Sequence, residues 1–459
     1  MATNLATTAA SNVATDVVKH AAPLSTAPVI ERWTTPQGVP VSYVARRAIP
    51  IVDINIDFDA GSIHDPVGKA GVSEMVASLL LTGQKKYGDL PAMTEEEAEH
   101  AFDEIGAKLP ADAQADRLSV GLRSLSHPVL LDRALVLLNA MLAVPAWPTR
   151  PFERERERLL AFAEEQQSDP EQLCNLTLTQ KLYGKHPYGV VATEASINGI
   201  DRADVGTFHR TYLVRSRALI TLVGDLSRDQ AEALAERLGA ALPVSKQTAD
   251  SPAAPDAPNQ LSELVGRDKK ESLNDVVWVD HPASQAHIAL GTLVPGVGDP
   301  DYFPLMVANR MFSWRLNDVV RDKLGLAYEV SSALFMSRLG EHRIALKTRA
   351  DQAERALAAV SETLRGFTEG GIDVAEFERT QAELIQGRAL AFDSNAKLLR
   401  HASDMAFDRL PADYLQTWTT RVAAVSLSQA IAVFGKWIRA DRQVTVIVGG
   451  DKPGDGRDA

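Results

Sequence analysis

One cysteine, Cys174, stands in 459 residues. A lone thiol excludes an intrachain disulfide framework and any cysteine-rich zinc site. It says little about compartment, because exported bacterial proteins often lack disulfides too. Basic residues are in deficit: 48 Lys and Arg face 60 Asp and Glu, a formal charge of −12. With no basic stripe, that balance argues against a nucleic-acid partner. No apolar run approaches the ~18–20 residues of a membrane span. What is present, 45% hydrophobic and 24% charged residues, is the composition of a soluble globular chain. The length suffices for about two to four ordinary domains.

The first residues, MATNLATTAASNVATDVVKHAAPLSTAP, hold neither a basic n-region nor a continuous apolar core. They read as a disordered leader over 1–28, not an intact signal peptide, though a remnant of one would look the same. A second break falls at 246–273, where TADSPAAPDAPNQ precedes GRDKKES. Three prolines among Ala, Ser and Asp make a linker rather than a core. The predicted parts are therefore a lobe over 29–245, a linker over 246–273, a lobe over 274–453 and a tail over 454–459.

The two lobes repeat a pattern. FHRTYLVRSRALITLVGD (Phe208–Asp225) and FGKWIRADRQVTVIVGGD (Phe434–Asp451) each read as a helix end, a basic turn, an apolar strand and Gly-Asp. Asp follows Phe by 17 positions in both. Strands open both halves: IVDINIDFDAGS, and HIALGTLV. In the first, Val52, Ile54, Ile56 and Phe58 alternate with Asp53, Asn55, Asp57 and Asp59, which predicts a half-buried strand. Thr94 and Glu97 are spaced as a capping box. Duplication predicts an α+β fold of two homologous lobes, each a mixed, largely antiparallel sheet with helices on one face. Joined by a linker, they would form a clam shell.

The stretch GVSEMVASLLLTG (Gly71–Gly83) predicts a helix with Val72, Met75, Val76, Leu79 and Leu80 on its core stripe. Gly83 stands where a left-handed C-cap is wanted. The opposite face offers Glu74, Ala77, Ser78 and Leu81, stacked one above another. Such a face can aim two metal ligands and a catalytic carboxylate, yet only Glu74 is ionisable. The acid and histidine patch EEEAEHAFDE (Glu95–Glu104) reads as a solvated helix face. His186, in HPYG, reads as a turn or packing residue.

The order of strand, Gly61-Ser62, Asp65–Gly71, helix and Thr82-Gly83 resembles the pitrilysin or insulinase-type (inverzincin) zinc peptidases, in their bacterial processing-peptidase-like branch. FERERERLL with SDP (Phe152–Pro170), YGKHPYG (Tyr183–Gly189), LVGD (Leu222–Asp225) and DKLGLAY (Asp322–Tyr328) extend the resemblance from about residue 30 to 450. It implies a LuxS/MPP-like metallohydrolase fold. Catalytic members carry H-x-x-E-H on this helix, two zinc ligands and a general base. Registered on Gly71 and Gly83, those places hold Glu74, Ala77 and Ser78. The family's third ligand is a glutamate on a later helix, for which AFAEEQQSDP offers Glu164 and Glu165, neither in clean register. The resemblance thus implies a chain that binds no metal itself.

In the second lobe, NRMFSWRLNDVVRDKLGLAYEVSS predicts a helix striped by Leu316, Val319, Val320 and Leu324 and closed by Gly325. Arg321 leaves its end and Tyr328 follows past the turn. In the family, an Arg and a Tyr at this spacing cross the cavity to the scissile region of a peptide held near zinc. Both are donors that need not ionise, suited to an oxyanion. Phe312 and Trp314 stand where many relatives have a glycine-rich turn, and core packing or partner contact is expected of them.

The resemblance implies a non-catalytic subunit of a heterodimeric zinc metallopeptidase. A homologous partner with H-x-x-E-H would bring the zinc, and this chain would bring Arg321, Tyr328 and half of a chamber for peptide substrates. A purely structural or peptide-binding subunit is the alternative; a self-sufficient peptidase built on Glu74 is a third. A periplasmic location is implied by resemblance, with the cytoplasm as the alternative.

Overall fold

The computed structural model describes residues 27–244, 276–336 and 338–450. The expected linker and tail, and all but the end of the expected leader, lie outside the described residues. In the first half, β1 (Glu31–Thr34), β2 (Pro40–Ala45), β3 (Ile51–Phe58), the short pair β4 (Gly83–Gln84) and β5 (Met93–Thr94), β6 (Ala111–Ala113), β7 (Leu118–Leu125) and β8 (Ala218–Gly224) appear in order. The second half adds β9 (Val276–Val279), β10 (Gln285–Val294), β11 (Glu329–Phe335), β12 (Gly340–Arg349) and β13 (Val444–Val448).

The repeat read from the sequence is a repeat of topology. The first sheet runs β1-β2-β8-β3-β7-β6 and the second β9-β13-β10-β12-β11. Leaving out β1, strand for strand they match. In each, the last strand sits beside the central one and makes the sheet's parallel pairing, β2 with β8 and β9 with β13. All other pairings in the two sheets are antiparallel. The matched landmarks fall on equivalent elements: helix Arg202–Tyr212 then β8, and helix Leu427–Trp437 then β13.

One face of each sheet packs on its own lobe's helices. Val52, Ile54, Ile56 and Phe58 of β3 enter the first core with Met75, Leu79, Leu138 and Phe208. Ile288, Leu290 and Ile447 enter the second with Phe312, Phe367 and Phe434. The other face of each sheet takes a helix from the opposite half. Helix Pro170–Tyr183 lies on β10 and β13, packing Cys174 and Leu178 on Ala289, Val444, Val446 and Val448. Gly291 makes room for it: a Cβ there would stand 2.8 Å from the Leu182 side chain.

Reciprocally, helix Asn395–Phe407 lies on β2, β3 and β8. This changes the expected half-buried strand. The polar row of β3 does not face water, and Asp53 and Asp57 are as buried as their apolar neighbours. Asp57 accepts from Ser119 Oγ at 2.5 Å and Asn55 Nδ2 at 2.9 Å, and from the Ser403 hydroxyl of the opposing helix. Arg117 stands 3.9 Å away and binds Asp404 of the same helix at 2.5 Å. A carboxylate without water must be fully hydrogen-bonded to stay charged. Here the donors come from both lobes.

Two outcomes are expected. Asp57→Asn should cost about 1.5–3 kcal/mol, the worth of hydrogen bonds to a charged group, read as a lower urea midpoint with unchanged slope. The second concerns pH. Burial pushes His342 down to about 3 and His209 down to about 4, from the ordinary 6.5. The unfolded chain takes up these protons near pH 6.5 while the folded chain refuses them. Their stability is therefore present above pH 6.5 and is lost as pH falls toward about 4. His342→Phe should flatten that slope in urea melts between those limits; an unchanged slope would refute this reading of the buried ring.

Candidate functional site

The motif helix spans Val72–Leu79, with Val72, Met75, Val76 and Leu79 fully buried as the stripe predicts. Its start is held by Asp65, whose carboxylate accepts the Gly71 N–H at 2.7 Å and the Ser73 N–H at 2.9 Å. Burial pushes this carboxyl up to about 6 despite those bonds. Gly71, at φ +107°, makes the turn into the helix. Gly83 is not the C-cap. The helix ends four residues earlier, and Gly83 opens β4, where a Cβ would stand 2.5 Å from the Met93 carbonyl oxygen. The close strand approach, not helix termination, requires glycine there.

Glu74 sits in the first turn, Ala77 is buried and Ser78 is half-buried. The neighbouring helix Thr149–Ser168 packs on this face and supplies what the sequence reading missed. Its buried row is Phe152, Glu155, Leu159 and Ala163. Glu155 therefore points inward, while Glu164 and Glu165, which the sequence offered out of clean register, are exposed. The signal was present in FERERERLL: at helical spacing, Glu155 falls between Phe152 and Leu159 on the apolar stripe.

Arg158, one turn beyond Glu155, closes the group. Its Nη2 donates to Glu74 Oε1 at 2.7 Å and to Glu155 Oε1 at 2.7 Å. Its Nε lies 2.9 and 3.0 Å from the two Glu155 oxygens. Hydrogen bonding to Glu155 first, and to Glu74, holds the guanidinium charged more firmly than usual against partial burial. One guanidinium thus bridges two carboxylates drawn from two helices.

These residues do not fit a catalytic zinc. Such a site needs three protein donors and an open position. Ala77 offers no donor and Ser78 only a neutral hydroxyl. Glu74 and Glu155 already share a fixed cation, whose charge opposes entry of another. Among the described residues, no three His, Cys, Asp or Glu are grouped to hold a metal. His100 pairs with Glu104 at 3.4 Å on an exposed helix face. His186 Nδ1 accepts the Tyr188 N–H at 3.1 Å in its turn.

In the second lobe, helix Tyr302–Leu316 runs into a π-helical turn, Asn317–Lys323. Leu316 and Val320 are buried, but the wider turn rotates Leu324 off the expected stripe and leaves it exposed. Gly325, at φ +61°, ends the turn by donating to the Arg321 carbonyl at 3.1 Å. Arg321 is exposed, with Nε 2.8 Å from Asp322. Tyr328 precedes β11; its N–H donates to the Lys347 carbonyl at 3.0 Å and its side chain is 66% exposed. No hydrogen bond or ion pair among the described residues joins Arg321 or Tyr328 to Glu74. Phe312 lies in the core against Phe367 and Phe434, whereas Trp314 is exposed beneath Arg310.

Arg158→Ala should destabilise the fold by about 1–2 kcal/mol, the smaller end for charged hydrogen bonds because Glu74 and Arg158 are both partly in water. It also governs metal entry. The triple change Glu74→His, Ala77→Glu and Ser78→His should load little zinc with Arg158 kept, and close to one per chain once Arg158→Ala is added. Metal analysis after gel filtration reads this directly. Full loading with Arg158 in place would show that the guanidinium does not block the site.

Comparison with known proteins agrees with this geometry. The profile described as Insulinase (Peptidase family M16) matches residues 42–193, and that described as Peptidase M16 inactive domain matches residues 199–384. The non-peptidase homolog YmxG of Helicobacter pylori is 22% identical over 396 residues, covering 85% of this chain and 87% of that protein. The beta subunit of the mitochondrial-processing peptidase of Lentinula edodes is 22% identical over 62% of this chain and 58% of its own length. A crystal structure of a peptidase M16 inactive domain from Pseudomonas fluorescens superposes with a TM-score of 0.80 at 29% identity, over 92% of this chain and 98% of that one. The chain belongs to the peptidase M16 family, as a non-catalytic member whose zinc-motif helix carries Glu74, Ala77 and Ser78.

Proposed function

We propose that this chain is the zinc-free half of a two-chain metallopeptidase. Its partner would be an H-x-x-E-H homologue that brings metal and base, and the pair would enclose unfolded or short peptides. The observation that carries this reading is an asymmetry between the lobes. The first lobe's carboxylates are tied to Arg158, whereas Arg321, in the π-helical turn, and Tyr328, before β11, stand exposed. The likeness to a processing-peptidase subunit supports it. When bound in the partner, zinc would polarise the scissile carbonyl and its water. The guanidinium and phenol of this chain would donate to the oxygen on which negative charge develops. A peptide would lie as an added strand on the partner's sheet edge. We also propose a periplasmic location, resting on resemblance to exported bacterial pairs.

The test is co-expression with an H-x-x-E-H homologue and assay of peptide cleavage by each chain and by the pair. Activity is expected only from the pair. Arg321→Ala should lower its kcat by about 10²–10³, the scale for loss of one oxyanion donor, and Tyr328→Phe should lower it measurably, with the complex intact on gel filtration. An active pair indifferent to both changes would leave this chain a structural or peptide-binding subunit. Chelator-sensitive activity of this chain alone would overturn the reading altogether.

A further inference from the structure

A cavity of about 750 Å³ opens between the lobes, walled by the β6–β7 hairpin on one side and helix Asn395–Phe407 with the Tyr414–Ala424 helix on the other. That size is ordinary for a small-molecule site. None of Glu74, Glu155, Arg158, Arg321 or Tyr328 lines it.

Its charged groups sort by partner. Asp112 accepts from Gln114, Asp116 from the Tyr188 hydroxyl and Asp404 from Arg117. Among the described residues Asp408, at the end of helix Asn395–Phe407, accepts no side-chain hydrogen bond and joins no ion pair, while Arg117 and Arg338 act on it from beyond contact distance. Burial, and then Asp404 beside it, push its carboxyl up to about 6. Among the guanidiniums, Arg117 is paired and Arg400 is exposed. Arg388 is partly buried and has no carboxylate partner among the described residues. It stacks 4.5 Å from the Trp418 ring centroid and 4.7 Å from that of Phe392, and its buried Nε has no acceptor.

Arg388 and Asp408 do not pair with each other, yet both act on the same two rings. The Tyr302 and Tyr414 phenols each lie within electrostatic reach of both charges. Tyr414 lines the cavity but is 95% buried, and its hydroxyl has no accessible surface there. A cation and an anion left without partners in one aromatic-walled space are costly features unless something completes them.

We propose that this cavity binds a small zwitterion of the amino-acid class, a free α-amino acid or dipeptide with a large apolar side chain. Its carboxylate meets Arg388, its ammonium meets Asp408, and its side chain lies along Trp418 and Phe407. The pocket draws on both lobes, so the ligand ties them together. This reading stands apart from the peptidase proposal and needs no partner chain.

The experiment uses the full chain alone, titrated calorimetrically with phenylalanine and Leu-Phe, with thermal melting in parallel. N-acetyl and C-amide forms of each serve as probes of the two ends. Saturable binding is expected for the zwitterion, with a rise in Tm. Blocking either end should weaken it about tenfold or more, the scale of one charge-assisted hydrogen bond. Asp408→Asn should abolish the preference for the free amine over its N-acetyl form while sparing discrimination at the carboxylate. Arg388→Met should do the converse. This double selectivity separates a lost contact from a lost fold. No binding at millimolar ligand, or binding indifferent to both end-blocking and both substitutions, would overturn the proposal.

Discussion

The Asp57 carboxylate is the interaction around which the two halves are organised. It sits on the central strand of the first sheet with no access to water, and one of its donors belongs to a helix about 350 residues further along the chain. A buried charge tolerates few geometries, because every missing donor is a desolvation penalty not offset. The lobes are therefore positioned against each other by direction as well as by apolar area. The converse contact, helix Pro170–Tyr183 on the second sheet, packs closely at Gly291. It too carries direction: Arg343 donates to Asn175 at 2.9 Å and Lys347 pairs with Glu171 at 2.7 Å.

That framework explains how the motif helix outlives its chemistry. Its core stripe and Asp65 cap concern folding, and both are intact. The face toward helix Thr149–Ser168 is free to change, but it is not free to carry any charge. Glu155 points inward and Glu74 stands beside it; two like charges at that range need a cation between them. Here a guanidinium from the same helix as Glu155 is that cation, and it leaves no open coordination position. Electrostatic balance is kept while the reactive centre is removed.

Much of this was legible in the sequence. The repeat, the paired helix-turn-strand endings and the Thr94 capping box rest on local periodicity and spacing, and they fold as written. What escaped depended on contacts between distant segments. The polar row of β3 reads as a solvent face until another half covers it. Gly83 reads as a helix end because a glycine after an apolar run fits that role, whereas its neighbour is a carbonyl on β5. Leu324 leaves its stripe because one wide turn breaks the helical period. Glu155 was legible in principle, since an acid on the apolar stripe of a helix must have a buried partner. It was overlooked because register with the family was sought further on, at Glu164 and Glu165.

The duplication also bears on where chemistry can sit. In each lobe the element that follows the first long central strand is the helix carrying the candidate groups: β3 leads to Val72–Leu79, and β10 leads to Tyr302–Leu316 with its π-helical turn. The polar groups leave these equivalent elements at opposite ends. Glu74 stands in the first turn of its helix, whereas Arg321 stands in the π-helical turn that continues the far end of the other. The repeat therefore equates the elements and not the positions of their charged side chains, so what one lobe carries on its helix cannot be read from the register of the other.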